Sequence, residues 1–422
     1  MKHKKNLVLV QLNEINFDEL KKYSKIYKFK FFDEEFLDNV INTSSESTYK
    51  LLEPWIQWVS AYTGLNAEKH NVFRLGDFEK SSLKSFYEII ENKGFSIGAV
   101  SPMNLKNNLK KPSYFVPDPW SETYSDGSFM SNLVSSTFKK FVNENASKKN
   151  SLIDYFKFCA IFLYYFRFRN LKLLFKIVLN LKYHWNKALL FDYTLNNIHL
   201  KNLKKFKPNF SSIFFNSGAH IQHHYFFNSI FVKKYENPEW YLKKKYDPFF
   251  EMLKFYDEIL YEYRNNLKYD LIIATALRQI PFNKINFYYR LKNHKYFLNL
   301  ININFKKIIP KMSRDFIIYF NDLNSLDDAA KKLTLINSIN HKEIFYIDKR
   351  SDSIFVTLSI NEEIKDETEI LINNEKKIKL KKFVNFVAIK NGMHDQKGYY
   401  YSSLNNDYIK KNQHVKNIFN II

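Results

Sequence analysis

The chain has 422 residues, enough for one large domain or for a domain carrying a substantial insertion. Its 41 Phe and 29 Tyr supply core material that disordered chains lack, while 8 Gly and 10 Pro exclude a collagen-like or turn-repeat composition. The net charge of +22 invites a polyanionic partner. However, Lys far outnumbers Arg in an Asn-, Ile- and Phe-rich composition of the kind AT-rich genomes produce, and no nucleic-acid module accompanies it, so nucleic acid is not an expected partner.

The basic N-terminus leads into Leu7 to Leu12, which is interrupted by Gln11 and stops at Asn13-Glu14. That run is too short for a signal-peptide core and lacks a small-residue cleavage site, so it reads as a first strand. Ser96 to Val100, Ser211 to Phe215 and Leu271 to Ala274 are similar short apolar runs. Helical stretches separate them, among them Pro54 to Tyr62 and Leu83 to Asn92. Such alternation predicts an α/β fold with a mainly parallel central sheet flanked by helices. A longer helix is expected from Glu239 to Asn266, where Phe249, Leu253, Tyr256 and Leu260 recur on one face.

Residues 102–208 read as an insertion in a core formed by 1–101 and 209–422. Its first part, through Asn150, is loop-like, with Pro112, Pro117 and Pro119. The stretch 151–208 holds 11 Lys or Arg against Asp154 and Asp192. Phe156, Ala160, Leu163, Phe166 and Leu173 fit one helical face, either a cap packed on the main domain or an interfacial helix on anionic lipid. From about 282 the runs turn strand-like, at Phe287 to Leu291, Phe316 to Phe320, Ile344 to Ile347 and Ile354 to Leu358. One helix candidate, Leu326 to Ile336, interrupts them, and the region either extends the sheet or forms a smaller subdomain. Cys159 is the only cysteine, which rules out an intrachain disulfide and a Cys-based zinc site and fits a reducing compartment. No run of about 18 uncharged apolar residues occurs, so no membrane span is expected. The chain is expected in the cytoplasm, with peripheral contact at the inner membrane face only under the interfacial alternative for 151–208.

Ligands of such sheets gather at the carboxyl ends of the strands. The loops expected there contain Asn13-Glu14, then Thr43 to Thr48 followed by Glu53, then Asn216 to His224, then Thr275 to Gln279, and finally Gly392 to Asp395. Asn13 and Glu14 are of a type to cap a following helix, and Glu53 suits a helix N-terminus. His220, His223 and His224 form a polar cluster or a metal-binding one.

Glu53-Pro54-Trp55, then Tyr62-Thr63-Gly64-Leu65-Asn66 and His70, resemble the alkaline phosphatase superfamily, nearest its type I phosphodiesterase/nucleotide pyrophosphatase branch. The resemblance implies a phosphate- or sulfate-ester hydrolase or transferase with two metal ions beside a Thr or Ser nucleophile. Carried over position by position, the first metal-ligand Asp falls on Asn13, with Glu14 adjacent, and the nucleophile falls on Leu52. An Asp and His pair falls on Ala219 and His223, an Asp-His pair on Leu277 and Arg278, and a C-terminal His on His394. Two imidazoles thus remain, and Glu14, Asn13, Glu53 and His220 are candidates to complete a site for zinc or manganese. Ser47 or Thr48 is the candidate replacement nucleophile, Glu53 a candidate catalytic carboxylate, and Arg278 a candidate anion binder. The substrate class implied is a phosphorylated or sulfated small molecule, glycan or lipid-linked precursor. The alternative is an inactive relative that binds an anionic ligand or a partner protein.

Overall fold

A computed structural model describes residues 6–144, 151–266, 269–311, 314–339, 343–372, 376–404 and 410–419. Its largest sheet contains β1 (Leu7–Leu12), β2 (Ile41–Ser44), β3 (Ile97–Val100), β4 (Tyr114–Val116), β5 (Phe210–Phe215) and β6 (Asp270–Ala274). Two later strands, Lys397–Ser402 and Gln413–His414, complete it, in the order Gln413–His414, β2, Lys397–Ser402, β6, β1, β5, β3, β4. The five strands from β6 to β4 run parallel, and Lys397–Ser402 runs antiparallel between β6 and β2. The fold is therefore the α/β type with a mainly parallel sheet.

Strand β1 shows why the sheet must be covered on both faces. Val8, Val10 and Leu12 belong to one buried cluster with Phe249, Met252 and Tyr256, whereas Leu9 belongs to another with Trp58, Tyr62 and Tyr87. Alternate side chains point to opposite faces, so an unbroken apolar strand needs helices above and below it. Helices Pro248–Asn266 and His184–Phe206 cover the first face, and Pro54–Thr63 and Phe86–Asn92 the second.

Helix ends follow local chemistry. Pro54 opens its helix without loss of a needed N–H, and Gly64 closes it at φ 72°, donating to the Ser60 carbonyl at 3.0 Å. The helix expected from Glu239 begins only at Pro248. Asp247 accepts from the Phe250 N–H at 2.9 Å, so an acidic cap followed by proline sets the start.

Within 102–208 two expectations need correction. The first part is not simply loop: it contains β4, which pairs with β3, and helix Phe129–Glu144. In 151–208 there is no single apolar face. Helix Leu152–Tyr164 ends before a short 3-10 turn at Phe168–Asn170, and Leu171–Leu179 and His184–Phe206 follow. Ile161 and Tyr165 are buried and Phe158 and Phe162 pack beside them, while Phe156 and Leu163 point outward.

The chain divides into two compact units. The first consists of Met1–Phe141, Ser151–Phe282 and Asn391–Ile422. The second, mainly Asn283–Lys390, contains a four-stranded sheet of Lys307–Pro310, Asp315–Tyr319, Phe345–Lys349 and Ser353–Leu358, with helix Leu323–Thr334. Among the described residues, no helix is long and apolar enough to cross a membrane.

Candidate functional site

The register brings the strand ends into line. Leu12 pairs with Phe215 and Gln11 with Ala274, so Asn13, Asn216 and Thr275 leave the sheet along one edge. Tyr400 pairs with Ala274 in the antiparallel strand, which puts His394, six residues earlier, beyond that same edge. Three non-glycine residues there have left-handed backbones: Glu14 (φ 62°), Ser101 (φ 59°) and Ala276 (φ 51°). Each such residue costs on the order of 1–2 kcal/mol, and strain of this kind tends to gather at functional sites.

Glu14 is buried, and its Oε2 lies 3.1 Å from Nε2 of His223 and 3.1 Å from Nε2 of His394. Ligand-capable atoms of the three side chains all lie within 4.8 Å of one another, and among the described residues no other group of three acids, imidazoles or thiols does so. Burial alone raises the Glu14 carboxyl, but His394 and His223 outweigh it and hold the group well below the usual carboxylate range.

Neighbouring amides fix this carboxylate. Gln279 Nε2 donates to Oε2 at 2.5 Å and Asn13 Nδ2 donates to Oε1 at 3.0 Å. Asn13 is itself held by Trp58, whose indole N–H donates to its Oδ1 at 3.0 Å. The Glu14 carbonyl accepts from Gln222 Nε2 at 2.9 Å and from the Gln279 N–H at 3.0 Å, clamping the left-handed turn. Gly392 leaves room for this arrangement, since a Cβ there would fall 1.9 Å from Gln279 Oε1 and 2.8 Å from the Gln222 carbonyl oxygen. Beyond His394, Glu53 places Oε2 3.7 Å from Nδ1.

The histidine-rich segment is a helix, Ser217–Tyr225, and not the loop expected from its sequence. Its start depends on a distant residue. Buried Asp192 accepts from the Ser217 N–H at 2.9 Å and the Asn216 N–H at 3.3 Å, and from the Tyr256 hydroxyl at 2.7 Å. Burial pushes the Asp192 carboxyl up to about 6 despite these bonds. Helical spacing then puts Ala219 and His223 on one face, and the Ala219 carbonyl accepts from Gln279 at 3.0 Å. His220 stands outside the convergent set; its ring packs 4.8 Å from that of His224, and burial lowers its pKa to about 4, with His223 and His184 adding to the effect.

Of the remaining expected residues, only Asn13 touches one of the three ligand-capable groups. Asn13 serves Glu14 through its amide, and the cap of the first helix is Asn16, whose Oδ1 accepts from the Asp18 and Glu19 N–H groups. Ser47 and Thr48 are exposed, ahead of the short turn Tyr49–Leu51. Leu52 is buried, which stabilises the fold by about 1.5–3 kcal/mol. Arg278 donates from Nε to Asp395 at 2.6 Å and from Nη1 to Tyr399 at 3.1 Å and to Asp18. Lys397 Nζ also meets Asp18, at 2.7 Å. Although partial burial raises the Asp18 carboxyl, Lys397 and Arg278 hold it below its ordinary value.

Two imidazole nitrogens and a carboxylate oxygen are a donor set suited to a single zinc or manganese ion. Leu277 and Ala219 offer no side-chain donor and Arg278 is a cation, so among the described residues no matching second set stands beside the first.

No family model matches this chain, and no curated protein matches it. Solved structures do. Phosphonoacetate hydrolase from Sinorhizobium meliloti shares 9% identity over 98% of this chain and 94% of that one, with a TM-score of 0.44. Human ectonucleotide pyrophosphatase/phosphodiesterase 5 shares 10% identity over 99% and 93%, at 0.41. An alkaline phosphatase, PafA, shares 11% identity over 98% and 94%, also at 0.41. At these scores the likeness assigns no chemistry to this chain.

Proposed function

We propose that the protein is a divergent relative of the alkaline phosphatase superfamily whose chemistry centres on one divalent ion held by Glu14, His223 and His394. The observation that carries this reading is the convergence of those three side chains at the carboxyl edge of the parallel sheet. Its substrate would be a phosphate or sulfate ester, on a small molecule, a glycan or a lipid-linked precursor.

The chain's own residues have distinct tasks in this reading. Asn13 and Gln279 hold the two Glu14 oxygens in place, so the carboxylate is oriented before any ligand arrives. Glu53 faces Nδ1 of His394, which favours the tautomer whose Nε2 lone pair turns toward Glu14. Such an ion, when bound, would polarise an ester oxygen and acidify a water. Ser47 and Thr48 remain candidate nucleophiles by position along the chain, and Arg278 a candidate contact for the anion.

A second reading, an inactive relative that binds an anionic ligand or a partner protein, is favoured by Leu52. This buried aliphatic residue stands where the resemblance places the nucleophile. The two readings separate in a turnover screen of phosphomonoesters, phosphodiesters and sulfate esters with added zinc or manganese. Metal-dependent turnover that disappears in Glu14→Gln supports the first; no turnover of any ester by protein with metal bound supports the second. Membrane attachment is a separate property and rests on another region of the chain.

A further inference from the structure

Residues 152–191 contain seven Lys or Arg and one acidic residue, Asp154, which is paired with Lys140 at 2.7 Å. In the same stretch the chain exposes large apolar side chains. Leu152, Phe156 and Leu163, spaced four and seven residues apart on one helix, are 78%, 73% and 71% exposed. Phe168 in the following turn is 80% exposed, and Leu179 at the end of the next helix is 76% exposed. Of the 27 large hydrophobic residues exposed among the described residues, ten lie between Leu152 and Leu179, so this is a concentration and not the usual scatter. The opposite side of Leu152–Tyr164 is already committed to the core through Ile161, Phe158 and Phe162. A helix that is apolar on its inner and its outer face needs a second apolar medium.

The charge decides which medium. Lys157, Arg169, Lys172 and Lys176 are exposed among these apolar residues. A second copy of the chain would bring like charges together, whereas anionic headgroups complement them while the acyl boundary takes the Phe and Leu side chains. Tyr155 and Tyr164 are half-exposed on the same helix and suit the headgroup zone. The helix has 13 residues, about 20 Å in length against the roughly 30 Å of a bilayer core. It can lie on a membrane but cannot span one.

We propose that Leu152–Leu179 is a membrane-surface attachment site for anionic lipid. The full chain is sedimented with phosphatidylcholine vesicles and with vesicles that also contain phosphatidylglycerol, at low and high salt. Binding is expected with the anionic vesicles, weaker at high salt. Neutralising Lys157, Lys172 and Lys176 to Gln should reduce it about a hundredfold, and Phe156→Asp with Leu163→Asp should abolish it with thermal unfolding unchanged. The His223→Ala/His394→Ala variant should bind vesicles like the parent, so failure of the metal reading leaves this result intact. Absence of binding to both vesicle types overturns the proposal. So does a lipid-free dimer that the Phe156→Asp/Leu163→Asp variant converts to monomer, or binding that these substitutions leave unchanged.

Discussion

Two side-chain clusters share the carboxyl edge of the sheet, one partly buried and one around a fully buried carboxylate, and they balance charge in opposite ways. Around Arg278, two cations meet two carboxylates: Arg278 with Asp18 and Asp395, and Lys397 with Asp18. That cluster is electrically complete. Around Glu14, one buried carboxylate faces two imidazoles, whose charge depends on their protonation. With neutral imidazoles the pocket is net negative, and two imidazole nitrogens with a carboxylate are a donor set that suits a divalent ion. The edge thus has one self-sufficient half and one half whose donor set suits a cation.

The largest way to break this contrast is Glu14→Ala. It removes the one carboxylate of the three ligand-capable groups, and zinc affinity measured by competition with a chelating dye should fall more than about 100-fold. Gly392→Ala tests the support around the site. The added methyl would displace the Gln279 side chain and with it the bond to Glu14, so metal affinity should fall roughly tenfold to 100-fold and stability by about 1–3 kcal/mol. An unchanged dye titration would show that Gln279 does not orient Glu14. Arg278→Ala should do the reverse, lowering stability by about 1–2 kcal/mol in urea denaturation while leaving metal affinity near the parent value; exposure of Asp18 keeps the cost modest. A large loss of metal affinity would mean that the two clusters act as one.

A smaller effect is expected from pH. Burial lowers His199 to about 3 and His70 to about 4. The unfolded chain therefore takes up protons below about 6.5 that the folded chain refuses, and stability is lost as pH falls from there toward 3. Asp192, raised to about 6, acts oppositely, its contribution being present below its unfolded value and lost as pH rises through 6. With His220 and His294, likewise lowered to about 4 by burial, these histidines outweigh Asp192, so the melting temperature should drop by about a few degrees between pH 7 and pH 5, and by less in His199→Gln. A flat profile would contradict this assignment of neutral buried histidines.

Much of the fold was legible because its signals are local. Short apolar runs specified four of the five parallel strands, β4 lying in a stretch read as loop, and Pro54 and Gly64 marked both ends of one helix. Asp247-Pro248 was an equally local signal, and reading past it extended a helix too far. The site was legible only in part. Glu14, His223 and His394 came from strand-end position and family resemblance, but their supports lie far along the chain: Gln279 is 265 residues from Glu14, and Gln222 is 208 away. Nothing in one sequence pairs such residues. The helix that carries His223 was missed for a related reason, because its cap is the side chain of Asp192, 25 residues before Ser217. The outward apolar face of Leu152–Tyr164 was likewise hidden, since a helix apolar all round does not reveal which side is covered.

The most direct test of the central claim is calorimetric titration of the purified, chelator-stripped protein with zinc, alongside the His223→Ala/His394→Ala variant. The account predicts one ion per chain in the parent and none in the variant. Two ions per chain, no binding by the parent, or equal binding by both proteins would contradict it.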